Sequence, residues 1–208
     1  MRPPLVSRLK AELTTNPAET APFPELVPAG VLAPLFFKDQ APHLLFTQRT
    51  FTVKDHRGQI SFPGGVKDAG DADLQTTALR ETWEEIGLEP QAVEMLGALP
   101  PVTTITGYRI TPFVGLIPYP YEFHPNSLEV KRLLFLPLEG FYPAERWSSG
   151  NYRYQGHLTR VCYWRCNREV IWGATARILL NLMAFLDQHP ISGDQGAICP
   201  DGPGRSPG

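Results

Sequence analysis

Apolar and polar positions alternate along the chain in two periods, one helical and one of strand type. Leu5, Leu9 and Leu13 fall on one side of a short amphipathic helix expected over residues 4–13. Residues 14–29, rich in Pro, Thr and Ala, read as an irregular lead-in. Val31–Phe37 is a continuous apolar run and predicts a buried strand. The turn Lys38-Asp39-Gln40-Ala41-Pro42 and a second strand, His43–Gln48, complete a hairpin. Residues 49–63 are polar with few apolar anchors. A helix is expected over Leu74–Ile86, with Asp73 as N-cap and Gly87 as a left-handed stop. Further strands are expected at Val93–Leu99, Ile110–Ile117, Val130–Leu136 and Val161–Trp164, and a loop with three prolines at 118–127. Gly173 leads into a second helix, about Ala174–Asp187, whose Ile178, Leu182, Phe185 and Leu186 keep core spacing. Trp172 and Gly173 read as packing residues that seat it. Strands interleaved with two substantial helices predict an α/β layered fold.

Composition narrows the class. A chain of 208 residues with 42% apolar and 19% charged residues suits one soluble domain with tails. The expected organisation is a lead-in over 1–27, a domain over 28–190 and a disordered tail over 191–208, the last because its Gly, Pro, Asp and Ser have little to bury. A net charge of −2 gives no polyanion-binding surface and argues against nucleic acid as a partner. Arg2, Arg8, Lys10 and Glu12 interrupt any secretory segment, and Val31–Phe37 is far short of the roughly 20 residues that span a membrane. Three cysteines, Cys162, Cys166 and Cys199, form no disulfide framework and suit a reducing, cytoplasmic setting. Cys162 and Cys166 have only His157 nearby as a further ligand, so they read as packed or exposed thiols beside a strand.

The chemistry concentrates in Arg80-Glu81-Thr82-Trp83-Glu84-Glu85. Glu81 and Glu85 stand one helical turn apart, with Glu84 beside them. Three carboxylates this close repel one another and call for a cation. Oxygen ligands suit hard ions, Mg²⁺ or Mn²⁺. Arg80 adjoins the cluster and can orient or partly neutralise it. Three glutamates alone also describe a solvated acidic face. Gly64 and Gly65, ahead of the helix, change that reading, because glycine lets backbone approach a phosphate or a metal closely.

The segment Gly64–Leu88 resembles the Nudix box, G-x5-E-x7-R-E-U-x-E-E-x-G-U with U aliphatic. Its second half matches at every charged position and at the closing Gly87-Leu88. Counted back from Arg80, the early Glu falls on Ala72 and the Gly on Val66, so the loop is one residue longer than the general form. Asp71 or Asp73 takes the early acid's place, and Thr82 replaces an aliphatic residue. The longer loop, together with Leu44–Thr50, His56–Gly65 and Ile171–Leu179, resembles the coenzyme A pyrophosphatase branch of the family. The likeness spans residues 28–187.

The resemblance implies a Nudix fold, a mixed β-sheet sandwiched between α-helices. It implies that Glu81 and Glu85 bind Mg²⁺ or Mn²⁺ directly, that Glu84 serves a further metal or its water, and that a carbonyl of Gly64 or Gly65 completes the set. Glu129, in Asn126-Ser127-Leu128-Glu129-Val130, is the candidate general base. Arg49, His56 and Arg57, with Lys54 nearby, are candidate contacts for substrate phosphates. The expected substrate is a small nucleotide, coenzyme A or an acyl derivative, cleaved to 3′,5′-ADP and 4′-phosphopantetheine. ADP-ribose or a dinucleotide is the rival substrate. A nucleotide sensor without turnover is the rival class, and would be expected to have lost the glutamates. Assembly, including a homodimer, stays open.

Overall fold

The computed structural model describes residues 4–14, 26–50 and 58–187. They form two compact units, divided after Leu138. The first holds α1 (Pro4–Glu12), β1 (Val27–Lys38), β2 (Ala41–Arg49), β3 (Ile60–Ser61), β4 (Gly64–Val66), α2 (Leu74–Ile86), β5 (Glu94–Ala98), β6 (Val102–Thr103), β7 (Tyr108–Leu116) and β8 (Val130–Pro137).

Eight strands make one mixed sheet in the order β3-β2-β1-β7-β5, with β4 beside β1, β6 beside β7 and β8 beside β2. Strand β1 is its spine. It runs parallel to β7 from Val27↔Tyr108 to Leu35↔Leu116, while its other edge pairs antiparallel first with β4 and then with β2. This continuous pairing carries the strand well beyond the apolar run Val31–Phe37. The β1–β2 hairpin closes on Asp39 and Gln40 alone, both at positive φ (50° and 65°), with Lys38 opposite Ala41.

The helix α2 keeps the bounds its caps predict. Asp73 accepts from the Thr76 backbone N–H at 2.7 Å, and Gly87 stops the helix at φ 69°. Its apolar side, Ala78 and Ile86, joins Leu32 and Phe36 of β1, Leu45 of β2, Phe113 of β7 and Val130 of β8 in one core. The core thus fixes which side of α2 stays polar. Thr82 is fully buried, and its hydroxyl donates to the Ala78 carbonyl at 2.6 Å. Val6, Leu9 and Leu13 are buried where α1 meets β5, and Lys10 pairs with Glu94.

The second unit is an antiparallel sheet of β9 (Trp147–Tyr154), β10 (His157–Cys166) and β11 (Glu169–Trp172), followed by α3 (Gly173–Leu186), which packs on β10 and β11. Ile178, Leu182 and Leu186 are buried as their spacing predicts, and Phe185 is partly so. Trp172 packs against the rings of Tyr152 and Tyr163. Trp164 lies on Phe141, and its indole N–H donates to the Gly140 carbonyl at 3.2 Å. Cys162 is buried and Cys166 partly exposed along β10. No helix among the described residues is long and apolar enough to cross a membrane. Cys199 and the tail 191–208 lie outside the described residues.

Candidate active site

The polar side of α2 carries Arg80, Glu81, Glu84 and Glu85, and three segments close on it: β4, the end of β2, and the 118–129 loop. Arg80 is gripped from behind by Asp71. Its Nε donates to Oδ1 and its Nη2 to Oδ2, both at 3.0 Å. Asp71 also accepts from the Thr77 hydroxyl and the Asp68 backbone N–H, each at 2.9 Å. The Arg80 bonds, above all, hold the Asp71 carboxyl far below its ordinary range against the opposing effect of burial. The same contact raises Arg80 further above its already high value. Thus anchored, Arg80 turns Nη1 to Glu81 at 2.9 Å and Glu84 at 3.1 Å, and Nη2 to the Val66 carbonyl at 3.3 Å.

Of the two candidates for the early acid, Asp71 is the one that meets Arg80, while Asp73 is spent on capping the helix. Gly65 to Asp71 keeps the spacing of the general box, and the extra residue falls between Asp71 and Arg80.

Glu85 has the opposite environment. It is 5% exposed, and its Oε2 has no hydrogen-bond partner. Burial raises its pKa to about 8; Arg49 opposes the shift, and the charges of Glu129 and Glu81 reinforce it. Arg49, at the end of β2, stands 3.6 Å from Glu85 Oε1. Glu81 is also raised, chiefly by burial, with Arg80 opposing. A Cβ on Gly65 would collide with the Glu81 carboxylate, so only glycine lets this backbone lie against it. Gly64, at φ 145°, pairs with Val31 and passes close to Gly30.

The loop after β7 closes the C-terminal end of α2. The backbone N–H groups of His124 and Asn126 donate to the carbonyls of Ile86 and Glu85, at 2.9 and 2.8 Å. The Tyr121 hydroxyl donates to the Gly87 carbonyl at 3.3 Å. These bonds bring Glu129, far away in sequence, to where its charge acts on Glu85.

The structure therefore gathers Arg49, Gly64, Gly65, Arg80, Glu81, Glu84, Glu85 and Glu129 about one end of α2. Lys54, His56 and Arg57 lie outside the described residues. Sequence reasoning gave no part to Thr77 or Asn126. Thr77 carries no signal apart from its buried helical position, and Asn126, after Pro125, carries only a turn signal.

Among the described residues no three His, Cys, Asp or Glu side chains converge closely enough to hold an ion as they stand. Their chemistry nonetheless fits a hard divalent cation. A buried carboxylate oxygen lacks a partner, two further glutamates stand on the same helix side, and the donors are all oxygen. Arg80 and Arg49 balance that charge in the side-chain arrangement seen here.

A charged helix side faced by a glycine turn and backed by an arginine–carboxylate knot stands in a chain whose relatives are hydrolases of pyrophosphate bonds. The chain belongs to the Nudix family: residues 27–148 match the NUDIX domain. It is 38% identical over 162 residues to the uncharacterized Nudix hydrolase NudL of Enterobacter sp. (strain 638), covering 78% of this chain and 84% of that protein. The NudL of Pectobacterium atrosepticum is 34% identical over 185 residues, 89% of this chain and 94% of its own. Among solved structures, a C. elegans Ap4A hydrolase binary complex aligns with 53% of this chain and 80% of its own at 18% identity and a TM-score of 0.47. The NUDIX domain of Shewanella oneidensis NrtR complexed with ADP ribose aligns with 59% and 80% at 22% identity and a TM-score of 0.46. The family match, with the mixed sheet and its helices, meets the expected Nudix fold.

Proposed function

We propose that this chain hydrolyses the pyrophosphate of coenzyme A or an acyl-coenzyme A, with Mg²⁺ or Mn²⁺ held by Glu81, Glu84 and Glu85. The products are 3′,5′-ADP and 4′-phosphopantetheine or its acyl derivative. One observation carries the metal-dependent reading: Glu85, buried with an unpartnered oxygen, beside two more glutamates and a glycine turn. The substrate reading rests on the likeness of Leu44–Thr50, His56–Gly65 and Ile171–Leu179 to the coenzyme A branch. Its first segment forms β2 and delivers Arg49 to Glu85.

A bound divalent ion would polarise the diphosphate and acidify a water. The protein's own groups do the rest. Asp71 fixes Arg80, which orients Glu81 and Glu84. A carbonyl of Gly64 or Gly65 would supply such an ion with a further oxygen ligand. Arg49 lends positive charge where phosphate oxygens lie. Glu129 takes the proton of the attacking water at its carboxylate.

The test is a product analysis by mass. Coenzyme A, acetyl-coenzyme A, ADP-ribose and NADH are each incubated with the protein and Mg²⁺ or Mn²⁺. Coenzyme A and its acetyl ester are expected to turn over with the highest kcat/KM. A far higher kcat/KM for ADP-ribose would end the substrate assignment, and binding without turnover of any of the four would end the enzymatic one.

A further inference from the structure

Asn126 joins the helix that carries Glu85 to the segment that carries Glu129. Its backbone N–H donates to the Glu85 carbonyl at 2.8 Å. Its carbonyl accepts from the backbone N–H groups of Glu129 at 3.0 Å and Val130 at 2.8 Å. Its side-chain Oδ1 accepts from the Leu128 N–H at 3.1 Å. The other flank of the segment is tied to the end of β2. The Thr50 N–H donates to the Glu129 carbonyl at 2.8 Å, and the Thr50 hydroxyl to the Leu128 carbonyl at 2.9 Å. Leu128 itself is 77% exposed, so apolar burial contributes almost nothing to holding the segment between Asn126 and Val130. Hydrogen bonds set its path.

We infer that Asn126 is a positioning residue, whose side-chain amide fixes Glu129 relative to Glu85. The inference rests on the reading of Glu129 as the general base. Two carboxylates that share one reaction must keep their separation within a fraction of an ångström, and here they belong to elements distant in sequence. The backbone bonds of Asn126 tie its peptide to α2. The side-chain bond closes the turn through Leu128, so that Glu129 leaves it in one direction. Without Oδ1 the Leu128 N–H loses its acceptor, and the turn can open while Asn126 stays hooked to the helix. Misplacing a catalytic group by about 1 Å costs up to roughly a hundredfold in rate.

Four chains are compared on the best substrate of the panel above, with saturating Mn²⁺: wild type, Glu129→Gln, Asn126→Ala and Asn126→Ser. Serine keeps a neutral acceptor that closes the same kind of turn. Glu129→Gln is expected to lose most of kcat. Asn126→Ala is expected to lose about ten- to a hundredfold in kcat with KM changed less than about twofold. Asn126→Ser is expected to recover to within about threefold of wild type. Mn²⁺ affinity, read by electron paramagnetic resonance, and Tm stay near wild type in both Asn126 variants. A wild-type kcat for Glu129→Gln removes the base assignment and the positioning role with it. A crippled Glu129→Gln beside a wild-type kcat for Asn126→Ala removes the positioning role alone. So does an Asn126→Ser as impaired as Asn126→Ala, or a parallel fall of Tm and Mn²⁺ affinity, since either marks a merely structural residue.

Discussion

Asp71 and Glu85 are buried to nearly the same degree, 8% and 5% exposed, yet burial leaves them at opposite ends of the carboxylate range. Asp71 receives donors on both oxygens, two of them from one guanidinium. Glu85 has a single arginine at 3.6 Å, a backbone hydrogen bond from Gly64, an unpartnered Oε2, and two like charges nearby. Saturation of donors on Asp71 and the burial of Glu85's poorly partnered carboxylate separate the two. The saturated acid is a structural peg, and the unsaturated one is a group whose charge awaits compensation.

Glu85→Gln sharpens the contrast most. Turnover should fall roughly a thousandfold, the loss of about 4 kcal/mol of transition-state stabilisation. The fold should survive. Without divalent ions, wild-type stability should decline as pH rises from about 4.5 towards about 8, because the folded state favours the neutral acid. Melting in EDTA across that window checks this, and the Gln variant should show a flatter profile. A wild-type rate in the Gln variant would erase the distinction between the two acids.

Asp71→Asn should instead act on stability. Leaving Arg80 half-satisfied costs about 2–3 kcal/mol, read as a lower urea midpoint at pH 7. The lowered Asp71 pKa has the opposite sign. Its contribution is present above the ordinary value of 3.8 and fades as pH falls below it, so the gap between wild type and variant should narrow in acid.

Gly65→Ala tests the space between turn and helix. The added methyl meets the flexible end of Glu81, so Tm should change little while activity falls about ten- to a hundredfold through the displaced carboxylate. Thr82→Val should have the smallest effect, within about 1 kcal/mol in thermal melting, since a methyl replaces a hydroxyl bonded only within its own helix.

What the chain announces in advance follows the range of the forces involved. Both caps of α2 and the row Glu81, Glu84, Glu85 were readable, because helix signals act within a few residues. Asp71 was readable only as one of two candidates with Asp73, because the extra residue shifts the count onto Ala72 and only the fold shows which carboxylate Arg80 meets. Arg49 was expected to meet phosphate but not Glu85, a contact made by tertiary folding. Strand β9 has no sequence signal, since Ser148, Ser149, Gly150 and Asn151 carry no strand periodicity and the pairing is supplied by β10.

The parallel pairing of Val27 with Tyr108 and the pairing of Arg49 with Val130 set an order of events as the chain is made. The β1–β2 hairpin and α2 are local and can form early, whereas their long-range closures are slower, because loop-closure entropy must be met before non-local contacts form. Until residues 124–130 arrive, the carbonyls of Glu85 and Ile86 lack the backbone donors that fence them. The closure of β8 onto β2 is therefore also the moment at which Glu129 reaches the charged helix. A nascent chain carries its acidic row before Glu129 stands beside it, and the two meet only when β8 has joined the sheet.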